Sequence, residues 1–302
     1  MSPVPRLALA LALAVCCLAI GASAQSPPPL RESDGRTALP GTPAARVVSL
    51  APSLTELVYA AGAGDKLAGV SAFSDFPPAA ARLPKIADAG GIAWESLIAM
   101  QPDLVLAWKG GTRQADIERL HALGIKVFVV DISRFADVPR ALRDIGRLVG
   151  RVDSAEHAAA LLSQEMKRLV EQYAARLPVT VFLEISAKPL MTVNRDHVLS
   201  ELLAACGGIN VFADAPSLVS EPSREALLKR APVAVLHARP TGTNLAMDSL
   251  IYDGLEAGRR GRVYGITADH AFRPGPRLLL AAREICEALE RARESGGTPV
   301  RN

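Results

Sequence analysis

Between residues 46 and 149 short apolar runs alternate with stretches of helical period, and this alternation restricts the chain to a parallel α/β design. Residues 46–50 and 67–71 read as strands with a helix between them. Ser53 and Glu56 stand in the S-x-x-E spacing of a capping box, and Gly62 and Gly64 stop the helix. Residues 73–78 are a loop fixed by paired prolines. A short helix over 94–100 leads to a buried strand over 103–108, which Gly110 and Gly111 break. A helix over 113–123, a strand over 126–130 and a helix over 138–149 complete the block.

Residues 154–175 interrupt the alternation. They contain no Gly or Pro, and apolar Ala158, Leu161, Leu162, Met166, Leu169 and Val170 recur among charged residues. That spacing predicts one amphipathic helix of about six turns. A second α/β block follows: a strand over 179–185, a helix over 198–205, a short helix capped by Ser223, strands over 233–237 and 261–264, and a closing helix over 276–293. The expected fold is therefore α/β, with two lobes built on parallel sheets and joined by a single long α-helix. The first lobe takes residues 44–150, the linking helix 151–177 and the second lobe 178–295, with a frayed tail over 296–302.

The amino terminus reads as an export signal over residues 1–24. Arg6 precedes an apolar run over 7–20, and Ala22-Ser23-Ala24 is a small-x-small cleavage site before Gln25. The run is short for a membrane anchor. Lipidation at Cys16 or Cys17 is the other alternative, although Val15 stands where such a site wants a small residue. Residues 25–43 are rich in Pro, Ser and Gly and form a flexible lead-in. The balance of 34 basic and 31 acidic residues marks no nucleic-acid partner. Export leaves Cys206 and Cys286, which either form a bridge or stand as two buried thiols; an oxidising compartment favours the bridge.

Phe73, Phe76, Trp94 and Trp108 crowd a chain that is only 4% aromatic. Two lie in a loop and two at element ends, whereas Phe128 and Phe182 sit mid-strand as core aromatics do. The group reads as an apolar ligand wall, against the plainer reading of lobe packing. Its counterpart in the second block is Asp269, His270, Ala271, Phe272 and Arg273, which suits a ligand with apolar faces and an amide rim; a merely solvated loop is the alternative. The histidines share no metal-binding spacing, so no metal is assigned. Glu95 and Glu225 open two short helices, where the helix dipole alone accounts for an acid; a docking role toward a partner's arginines is the other reading. No G-x-S-x-G, H-E-x-x-H, Walker loop or C-x-x-C occurs, so the chain reads as a binder without catalytic cofactor rather than an enzyme.

RVVSLAPSLTEL, GVSAFSDFPP, PDLVLAWKGG, LGIKVFVVD, ACGGINVF and SREALL resemble the periplasmic vitamin B12-binding proteins of ABC importers, over about residues 46–289. SDFPP with AWKGG is specific to the corrinoid branch, while PDLVLA-type strands occur throughout siderophore and haem carriers. The resemblance implies two Rossmann-like lobes bridged by one long helix. It further implies a monomeric periplasmic carrier that holds cobalamin or a related corrinoid and delivers it to a membrane permease. It places Phe73, Trp108, Met191 and the segment from Asp269 to Arg273 at the ligand. It pairs Glu95 and Glu225 with arginines of the permease, and Cys206 with Cys286 in a disulfide. The chain departs from that pattern at Ala89 and Val219, where tryptophans are usual, at Met191, and at His270-Ala271, which replaces an aromatic pair; Trp94 restores part of the wall. A haem or ferric-siderophore carrier of the same fold is the rival expectation, with Tyr59 or His270 as iron ligand. A two-lobed periplasmic enzyme is the rival of another class.

Overall fold

A computed structural model describes residues 42–240, 252 and 254–295. The export segment, most of the lead-in, Cys16, Cys17 and the tail over 296–302 lie outside the described residues.

The first lobe comprises β1 (Val47–Ser49), α1 (Pro52–Ala60), β2 (Leu67–Ser71), β3 (Lys85–Asp88), β4 (Gly91–Ile92), α2 (Trp94–Ala99), β5 (Leu104–Trp108), α3 (Gln114–Ala122), β6 (Val127–Val130) and α4 (Asp137–Leu148). Its sheet has the order β4-β3-β2-β1-β5-β6, parallel except for the β3–β4 pair. Its central strands are apolar up to the closing Ser49 of β1 and Ser71 of β2, because both faces are covered. Val47, Leu104, Leu106 and Phe128 enter the main core, whereas Val48, Val105, Ala107 and Val127 enter a second core on the opposite face.

The linking helix α5 (Val152–Tyr173) is longer at its start than the sequence predicts, and its buried stripe is Ala155, Ala159, Leu162, Met166, Leu169 and Tyr173. Leu161 and Val170, expected on that stripe, are exposed. Steps of four and three residues keep one face aligned; Leu161 and Val170 each stand one position off it.

The second lobe holds β7 (Val179–Ala187), β8 (Leu190–Val193), α6 (Val198–Ala205), β9 (Gly208–Asn210), β10 (Val219–Ser220), α7 (Arg224–Arg230), β11 (Ala234–Arg239), α8 (Glu256–Arg259), β12 (Val263–Thr267), α9 (Ala268–Ala271) and α10 (Leu278–Glu294). The order is β10-β8-β7-β11-β12, with β9 paired to β7. β7, β9, β11 and β12 are parallel, and β8 and β10 are antiparallel. The expected parallel sheets are present, and each adds antiparallel pairing at one edge. Most of those edge strands span only two to four residues, too few to show a period.

The main core is continuous. It contains Val47 and Leu54 of the first lobe, Leu162 and Met166 of α5, and Val181 and Ile285 of the second lobe. Cys206, just after α6, is bonded to Cys286 in α10, both fully buried, which settles the alternative of free thiols. The bridge closes a separation of 80 residues and contributes about 4 kcal/mol on chain entropy alone.

The expected capping box on α1 is not formed. Ala51 is the N-cap, and Ser53 and Glu56 are both buried inside the helix. Ser223 does cap α7, its hydroxyl accepting from Ala226 N at 3.1 Å. His197 caps α6 through Nδ1, 3.1 Å from Leu199 N, a role that its residue type does not advertise.

Candidate functional site

In open α/β sheets ligands meet the carboxyl ends of the strands, where loops and helix N-termini gather. β2 ends at Ser71, and the loop after it carries Phe73, Asp75 and Phe76. Buried hydroxyls seat this loop. Thr55 Oγ1 lies 3.0 Å from Ser49 Oγ and 3.1 Å from Ser74 Oγ, and Ser71 Oγ lies 3.1 Å from Ser74 Oγ. Lys85 Nζ donates to the carbonyls of Ser74 at 2.9 Å and Ala80 at 3.1 Å. So anchored, Phe73 holds φ at 60° while remaining 75% exposed. A bulky residue with positive φ is strained by about 1–3 kcal/mol, which the hydroxyl network around the loop has to offset. Phe76 is also exposed, with the Arg277 guanidinium 4.5 Å from its ring centroid.

Trp108 closes β5. Gly110 and Gly111 do more than end the strand, because the indole lies directly on their backbone. A Cβ at Gly110 would stand 2.7 Å from Trp108 Cζ2, and one at Gly111 would overlap the benzo ring. Thr112 Oγ1 accepts from Trp108 N at 3.0 Å. Trp94 is placed differently. It packs on the second core with its face covered by Arg119, 4.1 Å from the ring centroid. No described contact joins it to Phe73, Phe76 or Trp108.

The segment from Asp269 to Arg273 is a single helical turn, α9 with its end, rather than an open loop. It brings Arg273 across to the first lobe. Arg273 bonds Asp75 at 2.6 Å and Asp269 at 2.9 Å and lies 3.7 Å from Glu56. Four residues on, Arg277 grips both oxygens of Glu56 at 2.8 and 2.5 Å. Burial pushes the Glu56 carboxyl up, against the pull of Arg277 and Arg273. Burial also opposes ionisation of Asp75, but its hydrogen bond and charge contact with Arg273 outweigh this and hold it below the usual carboxylate range. Ala271 is buried and Phe272 part-exposed. His270 Nδ1 lies 2.6 Å from Glu284 Oε1, and Glu284 Oε2 accepts from Thr267 N at 2.7 Å.

Met191, half-buried at the start of β8, pairs with Ser186. Two positions from Ser186 on β7, Glu184 is 6% exposed and its Oε2 has no hydrogen-bond partner. Burial pushes its carboxyl up to about 7. Glu95 and Glu225 lie in the first turns of α2 and α7, both exposed and with no described ion pair.

Sequence reasoning missed Asp75, Glu56, Arg277 and Glu184. Glu56 was masked by its resemblance to a capping acid. Glu184 had a visible signal, an acid inside the apolar run VFLEIS. Tyr59, an expected iron ligand of the haem alternative, packs over Gly64 at the end of α1 remote from the Phe73 loop. The other three tyrosines are also engaged elsewhere: Tyr173 and Tyr252 are buried, and Tyr264 lies under Arg291. Among the described residues no group of three or more His, Cys, Asp or Glu side chains could hold a metal ion, and no helix is long and apolar enough to cross a membrane. A separate cavity of about 840 Å³ lies beside the long helix, lined by Phe135, Pro139, Met166 and Val170, and not at these strand ends.

Two α/β sheets joined by one long helix, with exposed aromatics on the loop that Arg273 pairs to, are features of a solute-binding fold. The chain belongs to the periplasmic binding protein family, a family of non-enzymatic transport components, whose profile matches residues 47–270. It is 36% identical over 244 residues to the vitamin B12-binding protein of Photorhabdus laumondii, covering 81% of this chain and 87% of that one. It is 36% identical over 251 residues to the vitamin B12-binding protein of Yersinia pestis, covering 83% and 88%. The crystal structure of the periplasmic vitamin B12 binding protein BtuF of Vibrio cholerae superimposes with a TM-score of 0.77 at 32% identity, over 83% of this chain and 99% of that one. The periplasmic heme-binding protein RhuT from Roseiflexus gives 0.72 at 22% identity, over 82% and 98%, a likeness of fold.

Proposed function

We propose that this protein captures cobalamin or a related corrinoid between its lobes and delivers it to the permease of an ABC importer. The observation that carries this reading is Phe73, exposed and in a strained backbone, fixed by buried hydroxyls where the first lobe meets the segment bearing Phe272 and Arg273. Strain retained at an exposed aromatic serves a guest rather than the fold. Phe73, Phe76 and Trp108 supply apolar contact, with Met191 and Phe272 across from them; Arg273 and Asp269 address the amide rim. The relatives named for vitamin B12 favour this cargo over haem. Of the iron ligands the haem alternative would need, Tyr59 packs over Gly64, whereas His270 has Nδ1 on Glu284 and keeps Nε2 for a ligand, so the preference rests on the relatives and the haem spectra test it directly.

In this reading residues 1–24 direct export and are removed after Ala24, residues 44–150 and 178–295 are the two lobes, and the mature carrier acts as a monomer in the periplasm. Glu95 and Glu225 dock the loaded carrier on the permease. Calorimetry of the purified processed chain with cobalamin and with cobinamide tests the cargo, alongside visible spectra with haem. Binding of either corrinoid is expected; heat with haem and none with any corrinoid overturns the reading.

A further inference from the structure

We infer that Asp75 makes the cleft selective by charge, admitting macrocycles with neutral or cationic rims and rejecting those that carry free carboxylates. The inference rests on the carrier reading above and adds a discrimination to it. At the crossing between the lobes stand two guanidiniums, Arg273 and Arg277, and three carboxylates, Glu56, Asp75 and Asp269. The two guanidiniums and three carboxylates sum to one negative charge, and the nearby Lys85 ammonium, bonded to the carbonyl of Ser74, partly offsets it.

The three acids differ in access. Glu56 has a side-chain exposure of 3% and Asp269 of 26%, whereas Asp75 has 57%. An arriving ligand therefore meets Asp75 first. Arg273 has both terminal nitrogens committed, one to Asp75 and the other to Asp269. Arg277 is buried against Glu56 and capped by Phe76. A carboxylate on the guest finds no uncommitted guanidinium in this cluster. It has to displace Asp75, or sit beside it as a like charge. A primary amide faces neither difficulty, because its N–H groups donate to Asp75 and it carries no charge for Asp75 to repel. The contact with Arg273 keeps Asp75 ionised under neutral conditions.

The test compares cyanocobalamin with its monocarboxylic acid, in which one rim amide is hydrolysed, on the wild-type protein and on D75N and D75E at pH 7. The wild type is expected to favour the amide form by about tenfold or more. D75N should narrow that ratio to within about threefold, and D75E should restore it. A ratio unchanged in D75N, or a wild type that holds both forms equally, overturns the inference while leaving the carrier reading intact. Equal weakening of both ligands in D75N makes Asp75 a strut between the lobes and also overturns it. A wild type that binds neither form refutes the carrier reading itself. Because Asp75 is more than half exposed, the substitutions leave the core untouched, and circular dichroism verifies folding.

Discussion

Arg277, just before α10, holds both carboxylate oxygens of Glu56 in α1, at 2.8 and 2.5 Å, and so fastens the second lobe to the first beneath the aromatic loop. The same guanidinium covers the ring of Phe76. One buried pair thereby fixes both the approach of the lobes and the setting of the Phe76 ring.

Removal of either member strands the other charge in a buried site. E56A or R277A is expected to lower unfolding free energy by about 3–5 kcal/mol. The paired apolar replacement E56L/R277M should recover most of that loss, because neither charge is then left unpartnered. Urea denaturation of the two single variants and the double variant checks this; additive losses in the double would contradict it.

Glu184 makes stability depend on pH. Its folded-state carboxyl is raised to about 7 from 4.5, so the folded chain binds this proton more tightly than the unfolded chain. The contribution, about 3 kcal/mol, is complete below the unfolded value and is lost as pH rises through about 7. Part-buried His197 and buried His237, both held below their ordinary value by burial, act in the opposite sense. The informative quantity is therefore the difference between wild type and E184Q. The variant should gain relative stability between pH 5 and pH 8 by denaturant melts, and a constant difference would refute the assignment.

The glycine seat under Trp108 predicts a non-additive pair. G111A should displace the indole and weaken corrinoid binding by about tenfold, and W108A should do at least as much. The double variant should bind no worse than W108A alone, since the glycine acts through the ring. Isothermal titration across the four proteins reads the coupling.

Reduction of the Cys206–Cys286 bridge, or the double change to serine, should cost up to about 4 kcal/mol in stability while the fold is kept. Thermal melts with and without reductant measure it.

Charge reversal at Glu95 and Glu225 together should abolish uptake through the permease and leave corrinoid affinity unaltered. Transport into vesicles bearing the permease, beside a binding titration, separates the two effects; normal transport by the double variant would sink the docking role.

The long elements were legible because their periods are long. Strands 103–108 and 126–130 and the linking helix follow from runs of one face or two, and the placement of Phe73 in a loop and Trp108 at a strand end from the breakers beside them. The two- to four-residue edge strands carry no period and escaped. The interlobe ion cluster escaped for another reason. Glu56 and Arg277 lie 221 positions apart, and nothing local in either neighbourhood specifies the other. Glu56 even fits a local pattern, the capping box, which tertiary pairing overrides. Trp94 shows another limit, since the Arg119 guanidinium over its ring is a contact that nothing at the helix start announces.

The unbroken apolar interior running from Val47 through Met166 to Ile285 carries a mechanical consequence. Wide parting of the halves would wet that interior at about 25 cal/mol for every Å² of apolar surface bared. On the proposed carrier reading, unloading is thus a leverage problem: a permease has to prise the grip apart by small tilts of a stiff body, and the work of release comes from the transporter rather than from spontaneous gaping of its carrier.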